Sequence, residues 1–173
     1  MIFFMLFSHG ELLPHEKQHF SELKTSTNGV EFIKKHEGFS AVPYECLASV
    51  VAIGYGSTTY ENGKPVLLSD PPITKKTANI LLMKNIRKYE KWVKKLVKTN
   101  INQNQLDALV SLTYNIGIGN IKKSQLLKLV NSDPNDPEIR HEFLKWRKAS
   151  GKVVRGLEMR RQEEAELYFK PIY

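Results

Sequence analysis

Two helical patterns stand out among the hydrophobic and polar positions of the first half of the chain. Val30, Ile33 and Glu37 share one helical face, and Asn28 predicts the cap of that helix, which ends near Glu37. Thr74 predicts the cap of a much longer helix. Its inward stripe is apolar and recurs at helical spacing through Ala78, Leu81, Leu82, Ile86, Tyr89, Val93 and Leu96. This second helix is long enough to connect two lobes.

Short strands and turns are expected between these helices, over residues 42–68. Residues 50–53 form a β-rich run, and Asn62-Gly63 is a dipeptide typical of a tight hairpin turn. The prolines at positions 71 and 72 end the region. A small antiparallel β lobe is therefore predicted.

The rest of the chain carries the pattern of several helices. Asn102 and Gln105 resemble a capping box, and the glycines within residues 115–120 break the helix that follows. Further helices are expected at about residues 122–130, 137–149 and 157–169. A helix, a small sheet and then a run of helices indicate an α+β fold with segregated elements. A ligand is expected in the cleft between the two lobes.

Residues 1–27 lack clear periodicity, and we treat them as an N-terminal extension before a domain at residues 28–173. Residues 1–7 are apolar, but they are too short to span a bilayer. Neither a basic segment before them nor a small-residue cleavage site after them indicates a signal peptide. We therefore expect synthesis in the cytoplasm and no stable membrane insertion.

Composition limits the partners and cofactors. A net charge of +8 fits a solvated lysine-rich surface as well as an anionic partner. Nucleic-acid binding is not expected, because no aromatic stacking motif or recognisable domain signature accompanies the charge. The single cysteine, Cys46, excludes an intramolecular disulfide and a metal site built from cysteines, and the histidines lack ligand spacing.

Glu37 is the first candidate for chemistry, because an acid on the apolar side of a helix is costly without a role or a partner. Gly38 fits the left-handed position that ends a helix, which puts the negative end of the helix dipole near the carboxylate. Burial and the dipole both favour the protonated carboxyl, which is the form that a general acid requires.

Five short segments carry a resemblance to a known family: residues 37–39, 43–44, 53–56, 115–120 and 156–161. In this order they resemble the phage-type lysozymes, the family-24 glycoside hydrolases also called endolysins, over about residues 28–170. The resemblance implies a lysozyme-like fold, in which a long helix joins a small antiparallel β lobe to a larger helical lobe.

The resemblance also implies a muramidase that lyses bacterial cell walls. Its substrate would be peptidoglycan, cut at the β-1,4 bond between N-acetylmuramic acid and N-acetylglucosamine, without a cofactor. Glu37 matches the family's catalytic acid and would protonate the glycosidic oxygen. We expect a monomer that reaches the wall after release from the cell or by delivery.

Two positions depart from the family pattern. Cys46 stands where the family usually has Asp, and Ala52 stands where it usually has Thr. A glycosidase needs a second group as base or nucleophile, and a thiol can serve if it is partly ionised. Cys46 is therefore a candidate catalytic residue, and a small buried hydrophobe is the alternative. Ala52 offers no hydroxyl to orient water, so a reduced rate is expected.

Four further residues are candidates for substrate binding. Tyr55 and Ser57 belong to the glycine-rich segment, where the Ser57 hydroxyl can bond a sugar. Asn115 can bond an acetamido group or serve as a helix cap, and Arg160 can pair with Glu37 or with a muramyl carboxylate. Two alternatives to hydrolysis stay open: a wall-binding pseudoenzyme, and a lytic transglycosylase that uses Glu37 alone.

Overall fold

The computed structural model describes residues 20–45 and 50–172. The strands are β1 Ser40–Glu45, β2 Val51–Gly54, β3 Lys148–Ala149 and β4 Lys152–Val153. The α-helices are α1 Thr27–Glu37, α2 Lys75–Leu96, α3 Gln103–Ile116, α4 Ile118–Lys123, α5 Gln125–Ser132, α6 Glu138–Leu144 and α7 Arg155–Tyr168. A small two-stranded sheet and a larger group of helices form the two lobes, as the α+β prediction requires.

The β lobe is built on the antiparallel pair β1–β2. Ser40 pairs with Gly54 at one end and Glu45 with Val51 at the other, with an irregularity of register between them. Beyond β2 the chain turns at Gly63, whose φ of 83° suits glycine because the left-handed region is costly for other residues. The predicted antiparallel lobe is confirmed.

Helix α2 joins the lobes, because its inward stripe contributes to two separate apolar clusters. Leu81 packs with Ile53 and Val66 in the core of the β lobe. Leu82, Ile86 and Val93 belong instead to the main helical core. The predicted cap is confirmed, since the Thr74 hydroxyl accepts a hydrogen bond of 3.1 Å from the Thr77 amide. In the described part of the chain, no helix has both the length and the apolar character to cross a membrane.

The central helix of the larger lobe is α3, which packs against α1, α2 and α7. Residues 105–113 of this helix are all buried. The predicted capping box is confirmed: the Asn102 side chain accepts from the Gln105 amide, and the Gln105 side chain accepts from the Asn102 amide. Only the last turn of α3 emerges from this core: Tyr114 is partly buried and Asn115 is exposed.

The segment before α1 is fastened to the helical lobe. Leu23 is buried in the main core, and the Thr25 amide donates to Glu90 at 2.7 Å. Ser26 caps α1 and donates from its own amide to Asp107 at 2.9 Å. The predicted Asn28 cap is therefore wrong, because Ser26 is held in place by a distant carboxylate. The boundary expected between residues 27 and 28 falls inside α1.

Two helix predictions are also corrected. The helix expected at residues 122–130 is two helices, because Ser124 ends α4 and caps α5 through a hydrogen bond to the Leu127 amide. Helix α6 ends at Leu144, short of the expected residue 149. Residues 148–153 form a two-stranded hairpin whose turn has Ser150 at φ 48° and Gly151 at φ 77°. Two consecutive positive φ values are typical of the turn that matches hairpin twist.

Candidate active site

Glu37 is the last residue of α1, and the end of this helix determines where its carboxylate lies. The Gly38 amide donates to the Lys34 carbonyl at 3.1 Å, and Gly38 then leaves the helix with a φ of 69°. A glycine takes this conformation without strain. The chain can therefore turn at once into β1, which leaves the Glu37 side chain at the junction of the two lobes, 18% exposed.

A cleft of about 300 Å³ opens between the lobes beside Glu37. Its other lining residues come from the β lobe, from α2 and from the end of α3: Gly56, Thr58, Thr59, Asn85, Lys88, Tyr89, Tyr114 and Asn115. The predicted cleft between the lobes is confirmed. Gly56 brings the backbone close to the acid, since a Cβ at this position would lie 3.6 Å from Glu37 Oε2.

Arg160 of α7 pairs directly with Glu37. The distance from Arg160 Nη1 to Glu37 Oε1 is 2.7 Å, and the arginine side chain is only 4% exposed. The predicted pairing with Glu37 is confirmed. The alternative contact with a muramyl carboxylate is not expected, because Arg160 is almost fully buried and is not among the residues that line the cleft. The guanidinium thus places a positive charge against the carboxylate at the negative end of the α1 dipole.

Two hydroxyls from tyrosines also face the acid. Burial, and next the charge of Glu37, raise the pKa of Tyr89 and of Tyr114. Both phenols are therefore neutral near pH 7 and can donate hydrogen bonds. Tyr114 Oη donates to the Tyr55 carbonyl at 3.0 Å, which ties the end of α3 to the glycine-rich segment of the β lobe.

The structure places Ser57 and Tyr55, both predicted to bind substrate, in different surroundings. The Ser57 side chain is fully buried and accepts a hydrogen bond of 3.1 Å from Asn85 Nδ2. Ser57 therefore supports Asn85, a residue of the cleft, and the prediction that its hydroxyl bonds a sugar directly is wrong. The Tyr55 ring packs against Phe39, with ring centroids 5.6 Å apart, and is not among the residues that line the cleft.

Asn115 does lie on the cleft, and its side chain is oriented from behind. Arg161 Nη1 donates to Asn115 Oδ1 at 3.0 Å. Because the oxygen is engaged by the arginine, the amide nitrogen is the end of the side chain that can donate to a ligand. Helix α3 ends at Ile116 and Gly117 is its cap, so the alternative role of Asn115 as a helix cap does not apply.

Of the two departures from the family pattern, the structure describes Ala52. Cys46 lies outside the described residues. Ala52 is buried in β2 opposite Tyr44 and is 2% exposed. Within the described lining of the cleft, Glu37 is the carboxylate and the hydroxyls are those of Thr58, Thr59 and the two tyrosines. The described residues hold no cluster of three side chains suited to bind a metal ion.

Sequence reasoning missed Asn85 and Lys88, both of which line the cleft from α2. Asn85 follows Leu81 by one turn and precedes Tyr89 by one turn, so it lies on the same face of the helix. A polar residue in the middle of an apolar stripe was the available signal. Lys88 gave no such signal, because it is one of many lysines on α2.

Comparison with known proteins places this geometry among related chains. The family model described as phage lysozyme matches residues 34–164. The chain is 36% identical over 148 residues to an endolysin of Bacillus phage B103, an alignment that covers 84% of this chain and 54% of that protein. The chain thus spans about half the length of the Bacillus phage endolysins that it matches.

Solved structures agree with the sequence comparison. An endolysin from Escherichia coli O157:H7 phage FAHEc1 superposes with a TM-score of 0.79 at 34% identity, covering 88% of this chain and 97% of that one. The muramidase domain of SpmX from Asticaccaulis excentricus superposes with a TM-score of 0.74 at 31% identity, covering 86% and 99%. A family match over most of the sequence and a shared two-lobed fold lead to one conclusion: the chain belongs to the phage lysozyme family.

Proposed function

We propose that this protein is a muramidase that cleaves peptidoglycan at the β-1,4 bond between N-acetylmuramic acid and N-acetylglucosamine. The observation that carries the proposal is the position of Glu37 at the cleft between the lobes, paired with Arg160. The names of its relatives, endolysins and a muramidase domain, supply the class of substrate. The protein would act on the wall after release or delivery, as a monomer and without a cofactor.

Glu37 serves as the general acid that protonates the glycosidic oxygen. In the free protein the carboxylate is paired with Arg160, and its partial exposure lets water reach it. A polysaccharide in the cleft displaces that water, and desolvation favours the neutral carboxyl. Substrate binding and protonation of the acid therefore support each other.

The remaining walls of the cleft provide groups for binding. The Asn115 amide can donate to the carbonyl of an acetamido group, and Lys88 can pair with a carboxylate of the muramyl unit or its peptide. Thr58 and Thr59 offer hydroxyls from the β lobe. Ser57 and Arg160 support these groups indirectly, since Ser57 accepts a hydrogen bond from Asn85 and Arg160 pairs with Glu37. The Tyr55 carbonyl accepts a hydrogen bond from Tyr114.

The second catalytic group remains a prediction. Cys46 would have to be partly ionised to hold a water or to attack, and a free thiol has a pKa of about 8.5. Alkylation of the thiol tests this role: full activity after confirmed modification removes Cys46 from the mechanism. The buried Ala52 cannot supply a hydroxyl, so a slow hydrolysis is expected.

The decisive experiment compares Glu37→Gln with the parent protein in digestion of purified cell walls. Loss of an acid catalyst should lower the rate by about 10²–10⁴-fold, while sedimentation with walls is retained. Glu31→Gln is the control, because Glu31 is exposed on the same helix. A variant Glu37→Gln that digests walls at the parent rate would refute the role of this residue.

A second reaction is favoured by one observation: the described lining of the cleft has no second carboxylate beside Glu37. A lytic transglycosylase needs no attacking water and forms an anhydro sugar. Mass spectrometry of the released fragments separates the two reactions, since hydrolysis leaves reducing ends. Binding to walls without any cleavage would instead indicate a pseudoenzyme.

A further inference from the structure

A fully buried carboxylate, that of Glu164 in α7, connects two parts of the cleft. Its Oε1 accepts hydrogen bonds from Arg160 Nε at 3.1 Å, Arg161 Nη2 at 2.9 Å and Ser111 Oγ at 2.7 Å. Its Oε2 lies 2.8 Å from Arg161 Nε, although the two atoms do not form an aligned hydrogen bond. One side chain thus holds both arginines.

The two arginines lead from Glu164 to different groups of the cleft. Arg160 extends from Glu164 to Glu37, and Arg161 extends from Glu164 to Asn115. A guanidinium offers several N–H donors in a fixed plane, so a contact on one side fixes the direction of the donors on the other. Glu164 therefore sets the positions of the acid and of the amide without lining the cleft.

The charges along this chain of contacts alternate in sign. Burial lowers the pKa of Arg161 to about 10, and Glu164 acts against that lowering. Arg161 is therefore a cation at neutral pH. Burial raises the pKa of Glu164, but the two guanidiniums oppose this, and two adjacent buried cations are costly without a counter-charge. We conclude that Glu164 is ionised in the working protein.

We propose that Glu164 is a positioning residue of the active site: it presents Arg160 to Glu37 and Arg161 to Asn115, and it supplies the counter-charge between the two guanidiniums. This rests on the proposed role of Glu37 as general acid. If Glu164 were neutral, the positive charges of the two guanidiniums near Glu37 would no longer be balanced by its negative charge. The excess positive charge would favour the ionised form of Glu37.

The test uses variants that change the charge in opposite directions. Glu164→Gln removes a negative charge, Arg161→Met removes a positive one, and the double variant restores the balance. The ionisation of Glu37 is followed by carbon NMR of labelled carboxyl groups, assigned by the signal that Glu37→Gln loses. The other groups facing the acid are unchanged in all variants: Arg160 from α7, Tyr89 and Lys88 from α2, and Tyr114 from α3.

The expected shifts have opposite signs. The NMR signal of Glu37 should titrate at a lower pH than in the parent in Glu164→Gln, at a higher pH in Arg161→Met, and near the parent value in the double variant. The high-pH limit of wall digestion should move in the same directions. Glu166→Gln is the matched control, because Glu166 is exposed on the same helix, and it should produce a much smaller shift.

Damage to the fold alone would not change sign between variants. Shifts in the same direction, or no shift in variants that melt like the parent, would overturn the proposal. If one single variant fails to fold, the other single variant and the double variant still give the sign. The NMR titration does not require cleavage, so opposite shifts in a protein that never digests walls would refute the proposed function, while the electrostatic link between Glu164 and Glu37 would stand.

Discussion

The two sides of the cleft differ in how firmly their polar groups are held. On the side of the acid, Glu37 and Arg160 are backed by the buried groups Glu164, Arg161 and Ser111. On the side of the β lobe, the described residues are small and uncharged, namely Gly56, Thr58 and Thr59. The side chain proposed as the acid is therefore fixed by several buried partners, whereas the described groups on the opposite side have fewer such supports.

The chemistry follows from this contrast. An organised acid can protonate a leaving group whatever happens on the opposite face of the sugar. Hydrolysis also needs a positioned water, and Ala52, which is buried in β2, has no hydroxyl to orient one. The two proposed reactions thus differ in what they require of the β-lobe side: hydrolysis needs a water positioned there, and transglycosylation does not.

The largest expected effect on stability comes from breaking the organised side. Arg160→Met should lower the free energy of unfolding by roughly 3–5 kcal/mol, because it leaves the buried Glu164 with one partner fewer. Urea denaturation measures the change. Arg155→Met is the control, since Arg155 is exposed at the start of the same helix. Equal small losses in both variants would show that the buried ion pairs contribute little.

A smaller effect is expected on the β-lobe side. Gly56 has a φ of 81°, so Gly56→Ala should cost about 1–2 kcal/mol of stability and bring a methyl group near Glu37. Wall digestion should fall with it. Gly119→Ala is the matched control, because Gly119 lies in α4 and a methyl group added there would meet open space. Thermal melting and turbidity assays of both variants would contradict the prediction if they gave the same result.

The smallest expected effect is on the pH dependence of stability, through His36, the residue before Glu37 on α1. Burial, and next the charge of Arg160, lower the pKa of His36 below 6.5. The unfolded chain then takes up a proton more readily, so stability is present above about pH 6.5 and is lost as the pH falls toward the folded pKa. Melting temperatures between about pH 7 and 5 should therefore decline less steeply in His36→Gln than in the parent.

A control for the histidine is available on α6. His141 is exposed beside Glu138, and His141→Gln should leave the slope of melting temperature against pH unchanged. If His36→Gln also leaves the slope unchanged, burial of this histidine does not contribute to the pH dependence.

The sequence by itself determined the features that depend on neighbouring residues. The Thr74 cap, the Asn102–Gln105 box and the end of α1 at Gly38 were predicted and are present. Each of these depends on a hydrogen bond or a φ value within one turn of the chain, so the local pattern contains the required information. The apolar stripe of α2 was predicted for the same reason, and with it the two-lobed fold.

Only the tertiary structure determined which distant side chains meet. Ser26 caps α1 in place of Asn28 because Asp107, far along the chain, holds it. Ser57 is buried under Asn85, although its place in the motif suggested contact with a sugar. Glu164 and its two arginines are neighbours on α7, so their pairing is local, but their burial and the contacts of the arginines with Glu37 and Asn115 follow from the packing of α7 on α3.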